Sequence, residues 1–286
     1  MTTAVMSGVA AAGGADLYFE RRGDGPPLLM IAGGGGDCGV YSAVAGILAR
    51  EYAVVTYDRR GNSRSPLHHG RVKTTIAEQS ADAIAVLRAC GFASARIFGS
   101  SAGAIITLDL AAHHPQVVRA VVAHEPPLPK VLADSADYPT HYDQEAQVMA
   151  EEGWQAALAM FLVRIGQIPP GRPEAMTLVL EPEKVLEPGP QLDQLKRLSG
   201  NWEYLMTCEM RSFLDYEPDL DGIRRSGVRI ALAAGAETHD RFLHRMSVVI
   251  AARLGAEFVE FPGGHTAATM IPDAFADKLS QLFGQL

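Results

Sequence analysis

The chain has 286 residues, of which 48% are hydrophobic and 20% charged, and this composition excludes a disordered or fibrous protein. Its formal net charge of -8 argues against nucleic acid or an anionic membrane surface as a partner. No apolar run approaches the roughly 18 to 20 residues of a membrane-spanning helix, so we expect a globular protein that does not enter a membrane.

The cysteines and the N-terminal residues indicate the cellular compartment in which we expect the protein. The three cysteines, Cys38, Cys90 and Cys208, are odd in number and widely spaced, which predicts neither a disulfide framework nor a CxxC metal site. The first 14 residues are apolar but lack the basic residues that open a secretory signal. We therefore predict a cytoplasmic protein, and a homodimer remains open.

Short β-rich apolar runs alternate with helical patterns along the chain. This alternation predicts an α/β fold with a mostly parallel central sheet and helices on both faces. The runs at 28–31 and 121–123 are apolar without alternation, as in strands that are buried on both faces. The predicted strands are Asp16–Arg21, Pro27–Ala32, Ala53–Tyr57, Ala95–Gly99, Val117–His124, Val228–Ala234 and Glu257–Phe261.

The alternation stops at Pro126-Pro127 and resumes at Val228. Helical patterns such as 145–163 and 191–215 fill the interval, and a Pro/Gly-rich loop separates them. We interpret residues 127–216 as a helical lid inserted into a core domain that is formed by residues 1–126 and 217–286.

A glycine-rich loop follows the strand at 27–32. Gly34, Gly36 and Gly39 satisfy GxGxxG, and Asp58 ends the next strand at the distance of a ribose-binding acid. Arg59 and Arg60 would then be the partners of a 2′-phosphate, so an NAD(P)-dependent oxidoreductase is a rival hypothesis. Against it, a strand precedes the loop, and no lysine has a tyrosine four residues before it. A plain tight loop also explains the glycines.

The segment from Gly99 to Gly103 reads G-x-S-x-G between a strand and a helical run. A serine hydroxyl is a weak nucleophile unless a rigid turn holds it, exposed, beside a base. Glycines at both ends allow the close backbone approach that such a turn needs, and the following helix directs its free N–H groups at a developing oxyanion. The alternative is that Ser101 simply caps the helix. We favour Ser101 as a nucleophile.

With these features the chain resembles the α/β-hydrolase superfamily over nearly its whole length. Residues 57–65, Tyr-Asp-Arg-Arg-Gly-Asn-Ser-Arg-Ser, resemble the D-x-R-G-x-G-x-S segment after the family's fourth strand. The resemblance reinterprets the glycine loop as a source of one oxyanion-hole N–H. Here Ala32-Gly33-Gly34 stands where the family often has H-G-x, so Gly34 is the candidate donor and Ala102 the second.

The resemblance also implies a histidine base after the last strand. His265 follows the strand at 257–261 through Pro262-Gly263-Gly264, in the chain order serine, acid, histidine. His239 and His244, with Asp240, suggest a metal cluster, but a solvated helix face is the simpler interpretation.

Three residues compete as the acid of the triad. Glu237 is the first candidate because it follows the penultimate strand, where the family usually carries an aspartate; that position also matches Thr238. Asp240 lies in the same turn, and Glu125 ends the preceding strand, where some family members place their acid.

The family's chemistry then implies a cofactor-free and metal-free serine hydrolase. We expect it to cleave an ester or lactone of a small to medium apolar substrate through an acyl-enzyme. C–C bond hydrolysis or perhydrolysis would use the same triad, and some proteins of this fold are ligand receptors instead.

Overall fold

A computed structural model describes residues 4–132, 138–172, 174–239 and 241–286, and their backbone is organised around one eight-stranded sheet. The strand order is β1-β2-β4-β3-β5-β6-β7-β8, in which β1 and β2 run antiparallel to their neighbours and the other pairs are parallel. The strands are β1 (Val5–Ala12), β2 (Ala15–Arg22), β3 (Pro27–Ile31), β4 (Ala53–Tyr57), β5 (Ala95–Ser100), β6 (Val118–His124), β7 (Arg229–Gly235) and β8 (Glu257–Phe261). The predicted fold class is confirmed.

Helices cover both faces of this sheet. They are α1 (Ser42–Leu48), α2 (Ile76–Ala89), α3 (Ala102–His113), α4 (Tyr138–Glu151), α5 (Trp154–Arg164), α6 (Glu174–Leu180), α7 (Pro190–Tyr204), α8 (Met210–Leu214), α9 (Leu220–Ser226), α10 (Phe242–Leu254), α11 (Ala267–Met270) and α12 (Pro272–Gln285). A π-helix, Leu205–Glu209, joins α7 to α8. Among the described residues, no helix is both long and apolar enough to cross a membrane.

The two cores of the protein follow from the alternation of side chains along each strand. Leu29 and Ile31 of β3 pack with α2, α3 and α10, whereas Leu28 and Met30 pack with α1 and α12 on the opposite face. Helix α3 is buried nearly all round, because it lies between the sheet and its neighbours α2 and α9.

Local sequence signals explain where several elements begin and end. Helix α2 opens with a capping box, in which the Thr75 hydroxyl accepts from the Glu78 N–H and the Glu78 carboxylate accepts from the Thr75 N–H. Strand β1 was not predicted. Its residues are apolar or small without a regular alternation, and they form an exposed edge strand whose one partner among the described strands is β2. Because β1 is mostly exposed, its sequence lacks the alternation of apolar and polar residues that would have predicted a strand.

The described residues between β6 and β7 form helices that are joined by loops and turns. The pattern at 145–163 predicted one helix, but α4 and α5 are separate, because Gly153 adopts φ of 91° between them. The pattern at 191–215 is confirmed as the run of α7, the π-helix and α8. Residues 127–216 as a lid domain stay a prediction.

Candidate active site

The turn after β5 presents Ser101 at the carboxyl edge of the sheet. Strand β5 ends at Ser100 and α3 begins at Ala102, so the predicted strand–turn–helix arrangement is present. The Ser101 N–H donates to the carbonyl oxygen of His124 on the adjacent strand β6, at 2.9 Å. This hydrogen bond fixes the turn against the sheet.

Glycines on both sides of Ser101 are required by the crowding of this turn. A Cβ on Gly99 would collide with the carbonyl of Gly103, and a Cβ on Gly103 would collide with the carbonyl of Ile31. The G-x-S-x-G spacing therefore follows from close packing of backbone against backbone.

Positive φ angles outside glycine concentrate at this edge. Among the described residues, the non-glycine residues with positive φ are Ser101 at 56°, Glu125 at 50° and Ser63 at 49°. Such conformations cost about 1–3 kcal/mol each and persist where surrounding structure imposes them, often at functional sites. Two of the three carry predicted active-site side chains.

The carboxylate of Glu125 is hydrogen-bonded to His265. Glu125 Oε2 lies 2.5 Å from His265 Nδ1, and the side chains are 0% and 9% exposed. The other carboxylate oxygen, Oε1, accepts from the Gly235 N–H at 2.9 Å and from the Thr238 hydroxyl. A buried carboxylate in this position fixes the imidazole with Nδ1 protonated, which leaves Nε2 as the basic nitrogen.

The pKa of Glu125 shows how strongly this contact favours the ionised acid. Burial alone would raise the pKa, but the hydrogen bond and charge of His265, with a further hydrogen bond from Thr238, lower it to about 2. Glu125 is therefore a carboxylate at neutral pH.

The first candidate for the acid, Glu237, is not the partner of His265. Its side chain is exposed, and its backbone N–H donates to Gly263 instead. The alternative Asp240 lies outside the described residues. Thr238, the other residue that matches the family's aspartate position, donates its hydroxyl to Glu125. A threonine at that position is a sequence signal that the ranking of the three acids did not use.

His124 is a neighbour of the site that the sequence did not indicate. Its ring lies 6.4 Å from the ring of His265, and its Nδ1 is 3.2 Å from the Ser100 hydroxyl. Complete burial lowers the pKa of His124 to about 4, so the ring is neutral at pH 7. It therefore adds no positive charge beside His265.

A small cavity lies in front of Ser101. Its volume is about 20 Å³, which has room for a water molecule. Gly34, Ser101 and Ala102 all line it, so the structure brings both predicted oxyanion donors to the same cavity as the predicted nucleophile. The remaining lining is apolar apart from one arginine: Pro127, Phe161, Arg164, Ile165, Leu205, Met210, Phe213, Leu214, Phe242 and Leu243.

The residues that a dinucleotide would need are committed to internal contacts. The buried carboxylate of Asp58 accepts from the Cys38 N–H at 2.8 Å and from Arg64 Nε at 2.6 Å. Arg60 is paired with Asp82 and Arg59 with a buried glutamate. The glycine loop and its downstream acid thus have structural roles, which argues against the oxidoreductase hypothesis.

One further cluster offers metal-ligand atoms. His239, His244 and Glu260 have candidate ligand atoms within 4.8 Å of one another. The ring nitrogens of both histidines already lie within 3.4 Å of Glu260 Oε1, and Glu260 and His239 are exposed. A hydrogen-bonded cluster of two histidines with Glu260 accounts for this geometry.

Comparison with known proteins agrees with the observed fold. The family model described as the alpha/beta hydrolase fold matches residues 26–157. The uncharacterized hydrolase YraK of Bacillus subtilis (strain 168) is 32% identical over 284 residues, covering 97% of this chain and 96% of the relative.

Solved structures agree as well. The enol-lactonase from Burkholderia xenovorans LB400 superimposes with a TM-score of 0.69 at 19% identity, covering 97% of this chain and 100% of the other. A thermophilic esterase from Thermogutta terrifontis gives a TM-score of 0.73 at 16% identity, covering 98% of both chains. With the full-length match to YraK, these results show that the chain belongs to the α/β-hydrolase family.

Proposed function

We propose that the protein is a serine hydrolase that cleaves an ester or lactone bond through a triad of Ser101, His265 and Glu125. The observation that carries the proposal is the buried contact of 2.5 Å between Glu125 and His265 at the sheet edge where Ser101 is held in its strained turn. Serine, acid and histidine follow β5, β6 and β8, whose carboxyl ends meet at one edge of the sheet.

The residues of the site have distinct roles in the proposed mechanism. Nε2 of His265 takes the proton of Ser101 as its Oγ attacks the carbonyl carbon of the substrate. Glu125 stabilises the imidazolium that forms. The N–H groups of Gly34 and Ala102 bind the oxyanion of the tetrahedral intermediate.

Collapse of that intermediate breaks the bond to the leaving oxygen, and His265 gives it the proton. An acyl group then remains on Ser101; in a lactone the leaving hydroxyl stays attached to it. Water, deprotonated by His265, attacks the acyl carbon, and the returning proton restores the Ser101 hydroxyl as the acid leaves. The proposed steps use only this chain's residues and water.

The cavity supports an apolar acyl or ring substrate. Apart from Arg164, the other side chains that line the cavity beside Ser101 are hydrophobic or aromatic, including Phe161, Phe213 and Phe242. Proteins of similar fold include an enol-lactonase and an esterase, which fits the bond class proposed.

The segment at 127–216 would act as a lid over this cavity. It contributes Phe161, Leu205, Met210 and Phe213 to the lining, and the enclosed space of about 20 Å³ is far below the roughly 300 Å³ or more of a typical ligand pocket. Substrate entry therefore requires the segment to move away from the core.

A fluorophosphonate probe with peptide mass mapping tests the proposal. We expect one adduct at Ser101 in the wild-type chain and none in Ser101→Ala, with labelling strongly slowed in His265→Ala. Steady release of p-nitrophenol from a short acyl ester should accompany labelling. Labelling at another residue, or an unlabelled wild type that hydrolyses no ester, would refute the function.

A further inference from the structure

A buried ion pair lies beneath the glycine loop that carries Gly34. Arg59 Nη1 is 2.5 Å from Glu209 Oε1, and both side chains are 0% exposed. The guanidinium also donates to Gln79 Oε1 from Nη1 at 2.7 Å and to Glu209 Oε2 from Nη2 at 3.1 Å. On the side of the loop, Nε and Nη2 donate to the Gly33 carbonyl at 3.2 and 3.1 Å, and Nη2 donates to the Gly34 carbonyl at 3.1 Å.

These contacts determine the direction of the Gly34 N–H. In a trans peptide the carbonyl of Gly33 and the N–H of Gly34 point in opposite directions across one plane. With its oxygen bound to Arg59, this peptide unit directs its N–H away from the guanidinium. Gly33 itself is packed against the nucleophile, because a Cβ there would lie 3.1 Å from the Ser101 Cβ.

The loop needs such an anchor because it consists of glycines. Residues 33–36 are Gly-Gly-Gly-Gly, and glycine backbone rotates at little steric cost. The Gly33 carbonyl also accepts from the Gly36 N–H at 3.0 Å, while the Arg59 N–H donates to the Gly36 carbonyl at 2.9 Å. Arg59 thus holds the loop through both its backbone and its side chain.

Glu209 comes from the helical segment inserted between β6 and β7, 150 residues after Arg59 in sequence. It ends the π-helix Leu205–Glu209, a rare conformation that is frequent at functional sites. Its carboxylate also accepts from the Gln79 amide at 3.3 Å. Leu205, at the other end of the π-helix, contacts Gly34, since a Cβ on that glycine would lie 3.0 Å from Leu205 Cδ2.

We propose that Arg59 and Glu209 are positioning residues through which the inserted segment orients the oxyanion-hole N–H of Gly34. The inference rests on the proposed serine-hydrolase function, because an oxyanion must form for the N–H to matter. When Glu209 is in place, its charge holds the guanidinium under the loop. Without it, Arg59 would be an unpaired buried cation and the Gly33 peptide would lose its fixed direction.

A purely structural role predicts a different outcome from a positioning role. Buried ion pairs are often replaced by apolar side chains without loss of stability. Such a replacement leaves the Gly33 and Gly34 carbonyls without the guanidinium donors. Stability and oxyanion-hole geometry can therefore be separated in one variant.

The test is the double variant Arg59→Met with Glu209→Leu in the full chain. The matched control is Arg60→Met with Asp82→Leu, which removes the neighbouring buried pair, joined at 2.6 Å. The Arg60 side chain donates to Asp82, Glu78 and the Gly13 carbonyl rather than to the glycine loop. We expect kcat for p-nitrophenyl acetate to fall about 10- to 100-fold in the first variant, with KM changed less than about threefold, since loss of one oxyanion donor costs about 100- to 1,000-fold.

The affinity of a trifluoromethyl ketone inhibitor distinguishes a positioning role from a purely structural role, because a purely structural role would leave this affinity unchanged. It forms a tetrahedral adduct on a reactive serine, and its affinity should fall in proportion to kcat in the first variant only. Unfolding midpoints of the two double variants should be similar. The control should keep wild-type kcat and inhibitor affinity.

Several outcomes overturn the inference. Wild-type kcat and inhibitor affinity in the folded first variant would show that the pair is structural only, and so would equal losses of kcat in both double variants. If the first variant does not fold, Glu209→Gln must lower kcat without raising KM, and unchanged kcat refutes the inference. An unlabelled, inactive wild type would refute the proposed function, and the inference with it.

Discussion

The two sides of Ser101 are built in different ways. On the side of the proposed base, Glu125, Thr238 and His265 follow β6, β7 and β8, so neighbouring strand ends bring them together. On the side of the proposed oxyanion donor, the loop with Gly34 contacts Arg59, which is paired with Glu209 of the inserted segment. The first side is thus assembled from adjacent strand ends, whereas the second also involves a segment distant in sequence.

The largest effect is expected from removing the nucleophile or its base. Ser101→Ala and His265→Ala should each lower kcat for a p-nitrophenyl ester by about 10,000-fold or more, because the triad acts as a unit. Ser100→Ala is the matched control, since its hydroxyl contacts His124 and not His265. Activity of Ser101→Ala above one tenth of wild type would contradict the base-side account.

The next largest effect distinguishes two glutamates. Glu125→Gln should lower kcat by about 1,000- to 10,000-fold, since the amide cannot stabilise the imidazolium and disfavours the productive tautomer. Glu237→Gln should stay within about twofold of wild type, because its side chain is exposed and His265 Nδ1 is bound by Glu125. Steady-state kinetics of the two variants measure this directly, and the reverse ranking would restore Glu237 as the acid.

Ionisation of Glu125 also predicts how folding stability depends on pH. Its pKa is about 2 in the folded protein, where the His265 contact outweighs burial, and its ordinary value is 4.5. The contribution is therefore present above pH 4.5 and is lost as pH falls toward 2. Urea unfolding between pH 5 and 2.5 should show this loss in wild type, and a smaller loss in Glu125→Gln. Equal slopes in both proteins would contradict the assignment.

A moderate effect is expected at Thr238. Thr238→Val removes the hydroxyl that donates to Glu125 but keeps the shape of the side chain. We expect kcat to fall about 3- to 10-fold, because the Gly235 N–H still holds the same carboxylate oxygen and one neutral hydrogen bond contributes about 1 kcal/mol. Thr238→Ser, which keeps the hydroxyl, should retain at least half of wild-type kcat; a loss as large as that of the valine variant would point to packing instead.

The smallest expected effect is on the pH dependence of stability, and it comes from Glu145 in the inserted segment. Burial raises the pKa of Glu145 to about 7, although Arg164, 2.9 Å away, lowers it. Because the unfolded value is near 4.5, this group favours folding below that pH, and the contribution is lost as pH rises through 7. The melting temperature of wild type should therefore fall by a few degrees more between pH 5 and 8 than that of Glu145→Gln. Glu152→Gln, at an exposed position, should follow wild type.

The sequence indicates the features that are local along the chain and not those that only the tertiary structure brings together. Strand β5, the turn at Ser101 and α3 are local in sequence, so apolar runs and glycine spacing specify them. In the structure Glu125, rather than the first candidate Glu237, is hydrogen-bonded to His265. Glu125 reaches His265 from a positive-φ turn at the end of β6, which no local pattern encodes. The Arg59–Glu209 pair joins residues 150 positions apart, and only the folded chain brings them together.

The most direct test of the central claim is the rate at which a fluorophosphonate modifies Ser101 in wild type, Glu125→Gln and Glu237→Gln, followed by mass mapping of the labelled peptide. If His265 activates Ser101 and Glu125 orients His265, the wild-type and Glu237→Gln rates will agree within about twofold, while Glu125→Gln will be slower by at least about 100-fold. Equal rates in all three proteins, or a label away from Ser101, would contradict the account.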